Sequence, residues 1–97
     1  MQKKGYWIGH IQVDDPEAYK DYIPLSTAAI TRYGGIFLVR GGESQQVEGQ
    51  SPGRHVVIEF ASYALALTCY ASADYEAARA LRAKCARGDI VIVEGPA

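Results

Sequence analysis

Hydrophobic and polar positions alternate from the start of the chain. In "YWIGHIQV" (Tyr6 to Val13), Trp7, Ile11 and Val13 fall on one parity, and Tyr6, Ile8 and His10 on the other. A period of two marks a strand. The alternation then gives way to a helical pattern in "DDPEAYKDYIPLSTAAITRY". Asp14 or Asp15 stands at the N-cap, Pro16 suits the first turn, and Glu17 meets the positive end of the helix dipole. Pro24 falls inside that run and is expected to kink or divide the helix, since it lacks an amide donor and crowds the preceding turn. Gly34 or Gly35 supplies the left-handed residue that ends it. Strand two is "IFLVRGG", expected to continue to Val47 with a bulge or bend at Gly41-Gly42. "EGQSPGR" is a turn cluster and "HVVIEF" is strand three. A second helical region runs through "ASYALALTCYASADYEAARALRAKCARG", interrupted at Ser72 to Asp74 where a fresh N-cap appears. "DIVIVEG" closes the chain as strand four.

The order βαββαβ predicts an α+β, ferredoxin-like fold. Four strands form an antiparallel sheet in the order 4-1-3-2, with two helical regions on one face. No linker or repeat interrupts the pattern, so residues 1–97 read as a single domain. An open sheet of this kind should have one apolar and one polar face. Here both parities are apolar in every strand: Trp7 and Ile11 against Ile8, Phe37 and Val39 against Ile36 and Leu38, Val56 and Ile58 against Val57, Val91 and Val93 against Ile90 and Ile92. The second face needs a cover, and 97 residues leave no second layer to provide it. Face-to-face pairing of two copies is the expected answer, which makes a homodimeric α+β barrel.

Composition narrows the function classes. Apolar and charged fractions of 48% and 22% suit a folded globular chain and exclude a disordered one. A net charge of −1 gives no overall attraction to nucleic acid or to an anionic membrane, so neither is an expected partner. No apolar run approaches the ~20 residues that span a bilayer. The N-terminus passes from two lysines straight into strand alternation, without the apolar core and cleavage site of a signal peptide, and a cytoplasmic location is expected. Cys69 and Cys85 lack C-x-x-C spacing and are expected as buried, reduced thiols. Two separated histidines and two separated cysteines supply no metal-ligand spacing. No phosphate-loop motif occurs either, and no cofactor is expected. The stretch from Arg32 to Val39 has the outline of an RNA-recognition motif, but Gly34, Ile36 and Val39 stand where its stacking aromatics belong, and on strand two instead of strand three.

Candidate chemistry rests on one ionisable residue per strand: His10, Arg40, Glu59 and Glu94. With strands one and three read as parallel neighbours, His10 and Glu59 fall at one end of the sheet and Glu94 at the other. Arg40, read in phase with Ile36 and Leu38, then reaches Glu59. A carboxylate beside an imidazole raises the His pKa toward working pH, as general acid–base catalysis needs. His10 is the expected base, Glu59 its orienting partner and Arg40 an anion clamp. The competing reading is a buried polar network that only fixes a dimer interface. Tyr33, Tyr70 and Tyr75 lie near helix ends, where a phenol can line a ligand pocket, although packed tyrosines are commoner. Arg79 and Arg82 read as a solvated face with Glu76 beside Arg79, and His55 reads as surface.

Taken together, "KGYWIGHIQVDDPEAYKDY", "YGGIFLVRGG", "VVIEFASYALALTCY", "SADYEAARALR" and "GDIVIVEG" resemble the domain of unknown function 1330 family over nearly the whole chain. The resemblance implies a dimeric α+β barrel, related in fold to cofactor-independent monooxygenases and muconolactone isomerases. It does not transfer a reaction. The positions matching the family pattern include Tyr33, Arg40, Glu59, Tyr75, Arg82 and Glu94. One departure is Thr68-Cys69 before Tyr70, where a small residue and an aromatic one are expected, and the lost bulk would reshape a pocket beside the second helix. Two functions follow. One is a small-molecule site between sheet and helices in each protomer, with cofactor-independent acid–base chemistry of a monooxygenase or isomerase kind. The other is a non-catalytic dimeric structural or interaction protein.

Overall fold

The computed structural model describes residues 2–96. Its elements are β1 (Gly5–Val13), α1 (Pro16–Arg32), β2 (Ile36–Arg40), β3 (Arg54–Phe60), α2 (Tyr63–Ala71), α3 (Ala73–Arg82) and β4 (Ala86–Glu94). The sheet order is β2-β3-β1-β4 with every neighbouring pair antiparallel, the ferredoxin-like arrangement. No helix among the described residues is long and apolar enough to cross a membrane.

Local chemistry sets the helix boundaries. Asp15 caps α1 by accepting from the Ala18 amide at 3.2 Å, and Pro16 opens the first turn. The helix is not divided at Pro24; it runs on to Arg32. Pro24 and Lys20, whose carbonyl Pro24 cannot serve, are both exposed, so water can satisfy the freed acceptor. Gly34, at φ 78°, turns the chain after the helix. Ser72 separates α2 from α3: its Oγ donates to the Cys69 carbonyl at 2.7 Å and accepts from the Tyr75 amide at 3.2 Å.

The strands depart from the sequence expectation in four ways. First, β1 and β3 are antiparallel, not parallel. The crossover through α1 makes β1 and β2 parallel with β3 between them, and β3 returns from β2, so it opposes both. His10 therefore faces His55 across the strands, while Glu59 faces Tyr6 at the other end. Glu94 pairs with Gly5, at the same end as Glu59. Second, β2 stops at Arg40 and does not reach Val47, because Gly41 turns the chain at φ 69°. Third, a bulge that the alternation does not announce lies between Phe37 and Val39, upstream of the bend expected at Gly41-Gly42 and present at Gly41. Fourth, β4 begins at Ala86, three residues before the "DIVIVEG" run.

Strand parity divides the molecule into two faces. Trp7, Ile58 and Phe60 are buried on the helix side. Trp7 is the centre of this core: its indole Nε1 donates to the Ala66 carbonyl of α2 at 2.9 Å, and its ring meets Phe60, Tyr70 and Tyr75 at centroid distances of 5.3, 5.6 and 4.8 Å. On the opposite face Ile36, Leu38, Val39, Val91 and Val93 remain exposed. Both cysteines are buried free thiols.

Burial pushes the Cys69 thiol up to about 12, and burial also raises the Tyr75 and Tyr19 phenols, with neighbouring tyrosines adding to it. Each group keeps its proton in the fold at pH values where the unfolded chain releases it. The stabilisation from these groups is complete below the unfolded pKa values, about 8.5 for Cys and 10 for Tyr, and is lost as pH rises through the folded ones. Denaturant midpoints are expected to fall between pH 9 and 12, less steeply in Cys69→Ala; a midpoint unchanged up to pH 11 would contradict the buried assignment.

Candidate functional site

The helix-side face of β1 presents Trp7, Gly9 and Ile11, so a glycine stands where a core side chain would otherwise fill the space under α1. A cavity of about 50 Å³ lies there. Its floor includes Gly9, Val56, Ile58 and Ile90, and its roof is Tyr22, Ile23, Ser26 and Ile30 of α1. Tyr19, Tyr22, Ser26 and Ile30 recur at helical spacing, which puts all four on the sheet-facing side of α1.

Polar groups converge on this apolar space. Tyr22 and Tyr75 share a hydrogen bond between their hydroxyls at 2.8 Å, joining α1 to α3. Arg82, two turns beyond Tyr75 on α3, donates to the Tyr75 hydroxyl at 2.9 Å, and its guanidinium lies 5.8 Å from the Tyr22 ring centre. Arg40 lies 4.0 Å over the Phe37 ring and donates to Thr27 Oγ1 at 2.6 Å. Arg54 enters from the start of β3, with its guanidinium 5.9 Å from the Tyr19 ring centre and against Gly41, where a Cβ would come within 2.7 Å of it. Its Nε is buried and has no hydrogen-bond partner.

The predicted residues are thus distributed over both faces. His10 and Glu59 do not meet: they lie on the open sheet face, four register positions apart, roughly 13 Å at strand rise. His10 Nδ1 lies 2.8 Å from His55 Nδ1, so one ring donates and the other accepts. His55 is consequently a half-buried partner of His10, not a free surface residue. Glu59 accepts from the Tyr6 hydroxyl at 3.0 Å, and that hydrogen bond raises the Tyr6 pKa. Arg40 does not reach Glu59, because the bulge between Phe37 and Val39 moves it onto the helix side, opposite Val56. There it lines the cavity, as does Tyr75. Tyr70 instead packs on Trp7 beneath the Arg79 guanidinium, 5.1 Å from the ring centre, and Tyr33 caps α1. Arg82 is buried, not solvated. Cys69 packs against the Ala29 carbonyl, away from the cavity lining. Among the described residues no group of three or more His, Cys, Asp or Glu is placed to hold a metal ion.

Tyr19, Tyr22 and Arg54 escaped the sequence reading, although each carried a signal. Arg54 shares the parity of Val56, Ile58 and Phe60, so a charge is carried onto the core face. Tyr19 and Tyr22 sit on the helical stripe of Ser26 and Ile30.

The model of the family Domain of unknown function (DUF1330) matches residues 4–96. No curated protein matches the chain. Among solved structures, RPA0582 of Rhodopseudomonas palustris, a protein of unknown function, is similar with TM-score 0.74 and 15% identity over 100% of this chain and 85% of its own. SnoaB of Streptomyces nogalater, a cofactor-independent oxygenase, gives TM-score 0.66 and 11% identity over 98% and 95%. A dimeric ferredoxin-like protein of unknown function from Thermobifida fusca gives 0.58 and 16% over 100% and 93%. At these identities the solved structures establish a shared fold, the ferredoxin-like one. The family match spans nearly the whole chain, which therefore belongs to the family Domain of unknown function (DUF1330).

Proposed function

We propose that the protein is a single-domain homodimer that binds a small organic molecule in the cavity between α1 and the sheet of each protomer. One observation carries the reading: the space opened at Gly9 has apolar walls, and Tyr22 and Tyr75, whose hydroxyls are hydrogen-bonded to each other, are among the residues that line it. A mostly apolar hollow with a few convergent polar groups is the usual form of a small-molecule site. Arg82 holds the Tyr75 hydroxyl, and burial keeps Tyr75 protonated, so Tyr75 acts as a hydrogen-bonding phenol and not as a base. Its chemical use would be to stabilise negative charge developing on a ligand oxygen, the contribution an oxyanion hole makes. SnoaB, which shares the fold, is a cofactor-independent oxygenase, and acid–base chemistry without a cofactor is what such a donor would assist here.

Dimerisation in this reading covers the open sheet face. Val91 is 55% exposed and Ile36 57%, and both lie on the parity that carries the His10–His55 and Tyr6–Glu59 pairs. An apolar face with hydrogen-bonded polar pairs suits a two-fold interface. His10 and Glu59 then serve association, which leaves the ligand chemistry to the other face. Two buried free thiols suit the reducing cytoplasm, where we place the protein.

Two measurements test the reading. Sedimentation equilibrium at micromolar concentration is expected to give twice the chain mass, and Val91→Asp to give a folded monomer, because that position is exposed in the isolated chain; a wild-type monomer would contradict the interface. Trp7, the sole tryptophan, lines the cavity and reports on occupancy. Small molecules that raise Tm in a thermal-shift screen are expected to change Trp7 fluorescence and to lose both effects in Gly9→Val. A Cβ at Gly9 meets only the Ile90 side chain, at 3.3 Å, and the Asp89 carbonyl, at 3.8 Å, so the variant should fold with the cavity filled. Equal binding to Gly9→Val would place the site elsewhere.

A further inference from the structure

The cavity is lined by hydrogen-bond donors and positive charge without a matching negative group. Arg40 and Arg54 line it, and Arg82 stands behind Tyr75. None of the three forms an ion pair with a carboxylate among the described residues, where the four salt bridges involve Lys3, Lys20, Arg32 and Arg87. No Asp or Glu is among the lining residues. A guanidinium stays charged at every physiological pH, so burial cannot be relieved by losing a proton. Arg54 nevertheless has its Nε buried with no hydrogen-bond partner. Burying part of a charged group unpaired is unfavourable, and an anionic acceptor supplied from outside would remove that penalty.

We infer that the ligand of this cavity is a small carboxylate, bound with its oxygens at Arg54 and Arg40 and its carbon end toward Trp7. This inference rests on the small-molecule reading above and adds the charge and size of the ligand. Register sets the orientation. Arg40 lies opposite Val56, with its guanidinium over Phe37, and Arg54 opposite Ile11, while Trp7 lies opposite Ile58, further along the strands. The charged end of the cavity is thus at the Gly9–Ile11 level and the Trp7 end beyond it. The guanidinium fork matches a carboxylate, and the apolar walls need a hydrocarbon that inorganic phosphate lacks. Size follows from the volume: about 50 Å³ is well below the roughly 300–1,000 Å³ of sites for drug-sized ligands, so the enclosed part of the ligand is a few heavy atoms. Gly41 leaves room for the Arg54 guanidinium, which a side chain there would displace.

The test compares charged and neutral isosteres at constant ionic strength. Propionate and butyrate are titrated against propionamide and butyramide, with inorganic phosphate as an ionic control, following Trp7 fluorescence and backbone amide shifts. The carboxylates are expected to bind at least about tenfold more tightly than the amides, since a charged acceptor strengthens the hydrogen bonds. Arg54→Gln is expected to remove that preference and Arg54→Lys to keep part of it. If Arg54→Gln fails to fold, the carboxylate–amide comparison in the wild-type protein decides alone. Amides binding as tightly as carboxylates would overturn the carboxylate assignment and leave the small-molecule site standing. Phosphate binding as tightly as butyrate would likewise overturn it. If neither isostere series shifts the cavity residues and thermal-shift hits bind Gly9→Val unchanged, the small-molecule reading itself fails.

Discussion

The indole of Trp7 ties the sheet to the helices, and most of the structure is arranged around it. Its ring packs against β3 through Phe60 and against the α2 and α3 tyrosines, while its N–H is fixed on the Ala66 carbonyl. A residue in the second-layer contact of three elements cannot shift without moving all of them. Trp7 also sets the edge of the cavity, because the next position on its face is Gly9. A large side chain followed on the same parity by none gives both a rigid core and a hollow beside it.

Strand parity then allots different work to the two sheet faces. The helix side carries the core, the Tyr22–Tyr75–Arg82 chain and the two cavity arginines. The open side carries exposed valines and isoleucine with the His10–His55 and Tyr6–Glu59 pairs. The bulge in β2 connects the two: one extra residue on one strand reverses the facing of everything after it. Without it Arg40 would stand on the open face among apolar groups. With it, Arg40 joins Arg54 at the cavity.

Much of this was legible in the sequence. Alternation in "YWIGHIQV", the Asp15–Pro16 cap and the Ser72 break define elements from local chemistry alone, and two apolar parities per strand already signalled a face left to cover. The site was harder to see. Arg40 appeared in phase with Ile36 because alternation assumes an unbroken ladder, and nothing in "IFLVRGG" marks the bulge. A His10–Glu59 contact needs β1 and β3 to be parallel, whereas the crossover connection makes them oppose. Arg54 hid behind a turn cluster, although its parity matched the core. The Tyr22–Tyr75 pair joins residues 53 positions apart, a contact that only the packing of α1 on α3 creates.

The carboxylate site proposed above turns on Arg54, whose Nε is a buried donor without a partner. The side-chain Nε–H resonance of Arg54, observed by ¹H–¹⁵N NMR, reads that donor directly. The expected resonance is protected from solvent exchange in the free protein, moves downfield as butyrate is added and is unmoved by butyramide. A resonance in fast exchange with solvent, or one that butyrate leaves in place while other cavity signals move, would contradict it.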